Sequence, residues 1–200
     1  MTQISNMASQ NDSNQRNVVV GLDIGTTKIC ALVAAKDDNS ENLKILGVGI
    51  TDSEGVSRGI VVKPEKASHA IENAIRQASQ QSGINIKDVY ISISGDHIES
   101  TTSKGIISIT DYVTQDDVKR LIDESRKINL SNELHILHAI PQEFILDGDK
   151  GIVDPIGMCG LRFEADVHLI TCSKNYLNRI HDCVQRAVLR SQRCVFVSNG

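Results

Sequence analysis

The spacing of apolar positions changes several times along this chain, and each change marks an element. Val18–Leu22 and Ile29–Ala35 are short apolar runs rich in Val and Ile, the pattern of buried strands. The polar stretch between them, Asp23-Ile24-Gly25-Thr26-Thr27-Lys28, is too short for a helical crossover, so the spacing predicts an antiparallel hairpin. Lys36–Asn42 predicts a polar turn and Leu43–Thr51 a third strand of the meander. Asp52–Ile60, with Gly55 and Gly59, predicts a loop that leads to a short strand at Ile60–Val62. Ala67, Ala70, Ile71, Ala74, Ile75 and Ala78 then recur at helical spacing, between Pro64 and about Ser82, with Gly83 as the stop. Asp88–Ser94 alternates, with Val89, Ile91 and Ile93 facing inward.

Past Gly95 the pattern restarts. Ile98–Thr102 and Gly105–Ile109 predict two short strands. Thr114 and Asp117 have capping-box spacing ahead of a helix bearing Val118, Leu121 and Ile122 that ends near Ile128. Leu134–Ile140 predicts a strand that Pro141 stops or bends and that Phe144–Leu146 continues. Asp147–Gly160 predicts a loop. Leu161–Cys172 is the clearest strand, with Phe163, Ala165, Val167 and Leu169 inward and Glu164, Asp166 and His168 outward. The inward set expected for this region is Ile106, Val118, Leu121, Ile122, Leu137, Val167 and Leu169. Ser173 predicts the cap of a last helix with a face of Leu177, Ile180, Val184, Ala187 and Val188. For Cys194–Val197 two readings stand, a strand or a frayed end. Met1–Asn17 is Ser, Asn and Gln with almost no apolar content and reads as a disordered tail.

The chemistry concentrates in the first turn. Gly25 is expected to reach positive φ there. Successive N–H groups, the Thr26 and Thr27 hydroxyls and the Lys28 ammonium would form a concave donor set suited to phosphate. Asp23, at the end of the first strand, is placed to hold Mg²⁺ through water, because Mg²⁺ keeps much of its hydration shell. The competing reading is an ordinary hairpin with a polar tip. The turn is neither GxxxxGK[ST] nor GxGxxG.

Composition narrows the partners. Two hundred residues with 40% hydrophobic and 23% charged content fit a globular chain of one large domain or two small ones. Net charge of −4, no basic block, 3% aromatics and no Trp argue against nucleic acid. Five cysteines without CxxC spacing read as reduced cytosolic thiols. No apolar run reaches membrane-spanning length, and no basic amphipathic helix is apparent.

The hairpin resembles the first phosphate motif of the actin/Hsp70/sugar-kinase superfamily. With ILGVG at 45–49, SRGIV at 57–61, VYISISGDH at 89–97, VTQDDV at 113–118, LHAIPQEF at 137–144 and VHLITC at 167–172, the chain from about Val18 to Ala187 resembles the bacterial cell-division family FtsA. The resemblance implies an α/β fold: an actin/ribonuclease-H-like subdomain 1A, partial here, with a small inserted α+β subdomain 1C, the SHS2 domain. Residues 1–16 would be the tail, 17–95 plus 172–200 subdomain 1A, and 96–171 subdomain 1C. Beyond Val188 the family pattern is lost, since Arg190-Ser191-Gln192-Arg193 stands where a Gly usually ends the helix. The resemblance also implies ATP and Mg²⁺ at Asp23, Gly25, Thr26, Thr27 and Lys28, with binding weak or absent in this length of chain and at most slow ATP hydrolysis. It implies self-association into filaments, contact with FtsZ and other divisome proteins, and a place at the cytoplasmic face of the inner membrane at the septum. Membrane attachment would run through a C-terminal segment beyond these residues.

Three alternatives remain. A PilM-like pilus assembly protein shares the insertion, but the VHLITC and IPQEF segments favour FtsA. A sugar kinase would lack the insertion. An interaction module with a degenerate site would bind no nucleotide. Other constellations carry less. His135 and His138 at odd spacing on a strand point to opposite faces and share a metal only across a bulge. Cys159, Cys172 and His168 are dispersed. Ser94-Gly95-Asp96-His97 has no nucleophile elbow and reads as a junction between subdomains. Asp116-Asp117 complements a helix dipole.

Overall fold

The computed structural model describes residues 18–36, 42–93, 95, 97–128, 130–188 and 193–198. The predicted tail, most of the polar turn after Lys36, Ser94, Asp96 and the Arg190–Gln192 stretch lie outside them. The chain divides into two compact units. One takes the chain up to Gly95 and resumes at Tyr176; the other is Asp96–Asn175.

The first unit is built on a five-stranded sheet. Its strands are β1 (Val18–Ile24), β2 (Lys28–Lys36), β3 (Leu43–Asp52), β6 (Asp88–Ile93) and β11 (Arg193–Ser198), in the order β11-β6-β1-β2-β3. β1 and β2 form the expected hairpin, in register from Val18↔Ala35 to Ile24↔Ile29. β6 and β11 add in parallel, and β11 resolves the last stretch as a strand. Helix α1 (Pro64–Ser82) starts on a proline and ends on Gly83 with φ 70°. Every residue of its expected apolar face is buried. The helix crosses β3 closely because Gly47 and Gly49 present no side chain: a Cβ at Gly47 would stand 2.5 Å from the Ala78 carbonyl oxygen. Two glutamines of α1 cover the edge of β3, with Gln81 Oε1 accepting from the Val48 N–H and Gln77 Oε1 from the Ile50 N–H.

The stretch read as a loop after β3 holds a small hairpin instead. β4 (Val56–Ser57) and β5 (Ile60–Val61) pair across a two-residue turn, Arg58-Gly59, both at positive φ. Helix α3 (Lys174–Ala187) buries Tyr176, Leu177, Ile180, Cys183 and Val184, and the Cys183 thiol reaches the Pro64 carbonyl.

The second unit is a four-stranded antiparallel sheet of β7 (Ile98–Ser108), β8 (Leu134–Leu146), β9 (Asp149–Ile152) and β10 (Arg162–Ser173), in the order β7-β10-β8-β9, with helix α2 (Gln115–Ser125). Strand β7 (Ile98–Ser108) is one strand, where two were expected. Gly105 is no break: a Cβ there would stand 2.5 Å from the Leu121 carbonyl oxygen, so the glycine admits α2. The continuous strand pairs Ile106 with Glu164, which puts Ile106 on the outer face, 45% exposed, and corrects its inward assignment. Strand β10 is Arg162–Ser173, with Phe163, Ala165, Val167 and Leu169 fully buried as expected. Glu164 is outward by alternation yet buried, because Lys104 and Arg162 bridge it. Those two cations hold its carboxyl below the usual range. The Thr114–Asp117 capping box is formed in both directions.

Strand β8 (Leu134–Leu146) runs through Pro141 by means of a bulge, since Val167 faces Pro141 while Asp166 faces Glu143. A second bulge at Leu137 sets His135 opposite Cys172 and His138 opposite Ile170. The two histidines therefore share a face, contrary to simple alternation. The predicted 147–160 loop contains β9 (Asp149–Ile152), turned back by Asp147 and Gly148 at positive φ.

Candidate functional site

The β1–β2 turn is held from inside and from one flank. The Gly25 N–H donates to the Lys28 carbonyl at 3.1 Å. Gly25 does not take a positive φ; its smallness serves another purpose, since a Cβ there would stand 2.8 Å from the same carbonyl oxygen. This corrects the expected positive φ: the glycine is required by close approach within the turn, where its amide donates to the Lys28 carbonyl. Thr26, Thr27 and Lys28 are exposed at the tip. Asp23 is exposed two residues before Gly25, level with Cys30 on β2 and Ser92 on β6.

The flank is the segment after β3. The Ser53 N–H donates to the Thr27 carbonyl at 3.0 Å, and the Gly59 N–H donates to Thr26 Oγ1 at 3.1 Å. The base of the β4–β5 hairpin closes on Gly55, whose carbonyl accepts from Val62 and Lys63 at 2.8 and 3.0 Å. The sequence reading quoted Arg58 and Gly59 within the SRGIV motif but placed them in a loop; it foresaw neither their hairpin turn nor that Asp52 stands opposite Lys28 in the β2–β3 register. The register follows only from strand pairing. The turn had a signal in the Arg-Gly dipeptide between two short apolar pairs.

The donor set suits an anion. Two hydroxyls, the amides of Thr26 and Thr27 and one ammonium stand on an exposed turn. Among the described residues no three His, Cys, Asp or Glu cluster to hold a metal on their own. An exposed single carboxylate such as Asp23 would suit Mg²⁺ held through water, since that ion keeps much of its hydration shell. A groove of about 390 Å³ lined by Thr51, Asp52, Glu54, Glu65, Lys66, His69, Ala70 and Asn73 opens beside α1 and does not include the turn. There Lys66 pairs with Glu54 at 3.0 Å and holds its carboxyl below the usual range. No helix among the described residues is long and apolar enough to cross a membrane.

Comparison with known proteins adds family information. Residues 95–171 match the family model described as the SHS2 domain inserted in FtsA. Over 175 residues the chain is 41% identical to a cell division protein FtsA of Borreliella burgdorferi, covering 86% of this chain and 42% of that one. It is 36% identical over 173 residues to the Pseudomonas aeruginosa protein of the same name, covering 86% and 41%. For Escherichia coli K12 the figures are 36% over 186 residues, 92% and 44%. The chain thus spans less than half the length of the curated relatives it matches. Among solved structures, the PilM-PilN type IV pilus biogenesis complex superposes with a TM-score of 0.54 at 10% identity, over 91% of this chain and 46% of that one. That likeness speaks to the fold alone.

Proposed function

The chain belongs to the FtsA family of cell division proteins, with the actin-like fold and inserted subdomain of that family, and we propose that its β1–β2 turn is a nucleotide phosphate site. The observation that carries the reading is the turn itself: exposed Thr26, Thr27 and Lys28 on a hairpin clamped by Ser53 and Gly59. The bound group is Mg·ATP. The Thr26 and Thr27 amides and hydroxyls take phosphate oxygens, Lys28 adds a point charge, and Asp23 holds the metal's water. Gly25 gives the turn its tight closure. Any hydrolysis rests on positioning and electrostatics and is slow. We assign the first unit to subdomain 1A and the 96–171 insertion to subdomain 1C. In the full-length family protein, nucleotide binding supports filament formation, and that protein links FtsZ and the divisome to the inner membrane at the septum.

A PilM-like role is the weaker reading, since 10% identity to that complex stands against 36–41% to cell division proteins. The test is calorimetric titration of Mg·ATP into a full-length chain carrying this segment. Lys28→Ala and Asp23→Ala should each weaken binding by about 1–3 kcal/mol, the size of a lost charge-assisted contact. Unchanged affinity in both variants would refute the assignment.

A further inference from the structure

Two non-glycine residues among those described hold a positive φ, Arg58 at 49° and Asp147 at 51°. Asp147 has a structural reason. Its carboxylate accepts the N–H groups of Leu161 and Arg162, and a short acidic side chain tolerates this region. Arg58 has no such reason. It is exposed, and none of the ion pairs among the described residues includes it. It occupies the first position of a two-residue hairpin turn that Asn, Asp or Gly suits better. A long side chain kept at a backbone disadvantage, with no hydrogen bond or ion pair among the described residues to justify it, points to a use for that side chain.

The turn's location says which use. The Gly59 N–H donates to Thr26 Oγ1 at 3.1 Å. Standard backbone geometry then puts the Arg58 Cα within about 5.5 Å of that oxygen, a gap that an extended arginine crosses. The support is firm, because Val56 and Val61 are buried and Gly55 closes the hairpin base. The Gly59 bond also occupies a lone pair of the Thr26 hydroxyl, which leaves the hydroxyl proton to donate elsewhere.

We propose that the Arg58–Gly59 turn is a second wall of the phosphate site: Gly59 fixes Thr26 Oγ1 as a donor to the anion, and the Arg58 guanidinium binds phosphate oxygens alongside Lys28. A guanidinium fork suits phosphate in a way a single ammonium does not. The proposal rests on the reading of the Gly25–Lys28 turn as a phosphate site.

The test follows the Thr26–Lys28 amide resonances as Mg·ATP is titrated, up to millimolar concentration, into a full-length chain carrying this segment, with adenosine as the phosphate-free control. Arg58→Gly relieves the backbone conformation, so it should fold at least as stably as the parent while binding Mg·ATP about tenfold more weakly. Arg58→Lys should recover part of the loss, and the adenosine response should be the same throughout. If both Arg58 variants bind Mg·ATP as the parent does while Lys28→Ala is weakened, the second wall is refuted and the phosphate turn stands. If the parent's Thr26–Lys28 amides do not respond to Mg·ATP at all, both fall.

Discussion

The carbonyl oxygen of Ala74 lies over the α-carbon of Gly49, so near that a Cβ on the glycine would overlap it. Helix α1 can rest on β3 only because that strand offers backbone where the helix backbone passes. Gly21, in the middle of β1, is the opposite case: nothing lies within 4 Å of the position its Cβ would take.

The pair gives a first prediction. Gly49→Ala should destabilise the first unit by about 1–3 kcal/mol, the usual cost of forcing an extra carbon into a packed contact. Gly21→Ala should lie within about 0.5 kcal/mol of the parent. Urea denaturation of both variants checks this. Equal midpoints would mean that α1 does not approach β3 as described.

The α2 capping box carries a pH dependence. Hydrogen bonds from the Thr114 hydroxyl and N–H hold the Asp117 carboxyl below its ordinary value. A carboxylate with a lowered folded pKa stabilises above its unfolded pKa and loses that contribution as pH falls through the folded one. Thr114→Ala should cost about 1 kcal/mol at neutral pH. Asp117→Asn should show a deficit against the parent that shrinks as the solution is acidified below about pH 4. A deficit independent of pH would contradict the carboxylate's role.

The two units should unfold separately. Leu121 and Val167 are fully buried in the second unit's core. Replacing either by Asp buries an unpaired charge, a loss of several kcal/mol, on the order of the whole unit's stability. Hydrogen exchange should then rise in β10 and α2, while the β1–β2 hairpin keeps its protection. Equal loss in both places would refute the division.

Thiol reactivity should separate the cysteines by burial. Burial pushes Cys172 up to about 11 and raises Cys183 as well, so both remain protonated at mildly alkaline pH. Cys159 is exposed. Alkylation at pH 8 read by mass spectrometry should label Cys159 first and Cys172 and Cys183 last. Early labelling of Cys172 would show that β10 is not packed as described.

Much of this was legible because the signals were local. The β1–β2 hairpin, the apolar face of α1 and the Thr114–Asp117 box each depend on residues a few positions apart. The failures were of two kinds. The sequence predicts two strands where β7 is one, with Gly105 opening the second, because the helix that passes over Gly105 is sixteen residues away in sequence. Ile106 then fell on the wrong face, since face assignment needs an unbroken count. The His135/His138 geometry and the continuation through Pro141 depend on bulges, which alternation does not encode. β9 had a signal that went unused, the Asp147-Gly148 pair typical of a two-residue hairpin. At the candidate site the residue types were read from the chain, but the bond that sets the Arg58–Gly59 hairpin against Thr26 spans 33 residues and has no local signal.

The most direct test of the central claim is a crystal structure of a full-length chain carrying this segment, soaked with a non-hydrolysable Mg·ATP analogue. The account predicts phosphate density at the β1–β2 turn, within hydrogen-bonding distance of the Thr26 or Thr27 amides and Lys28 Nζ, and a hydrated metal near Asp23. Nucleotide bound with its phosphates away from this turn would contradict it.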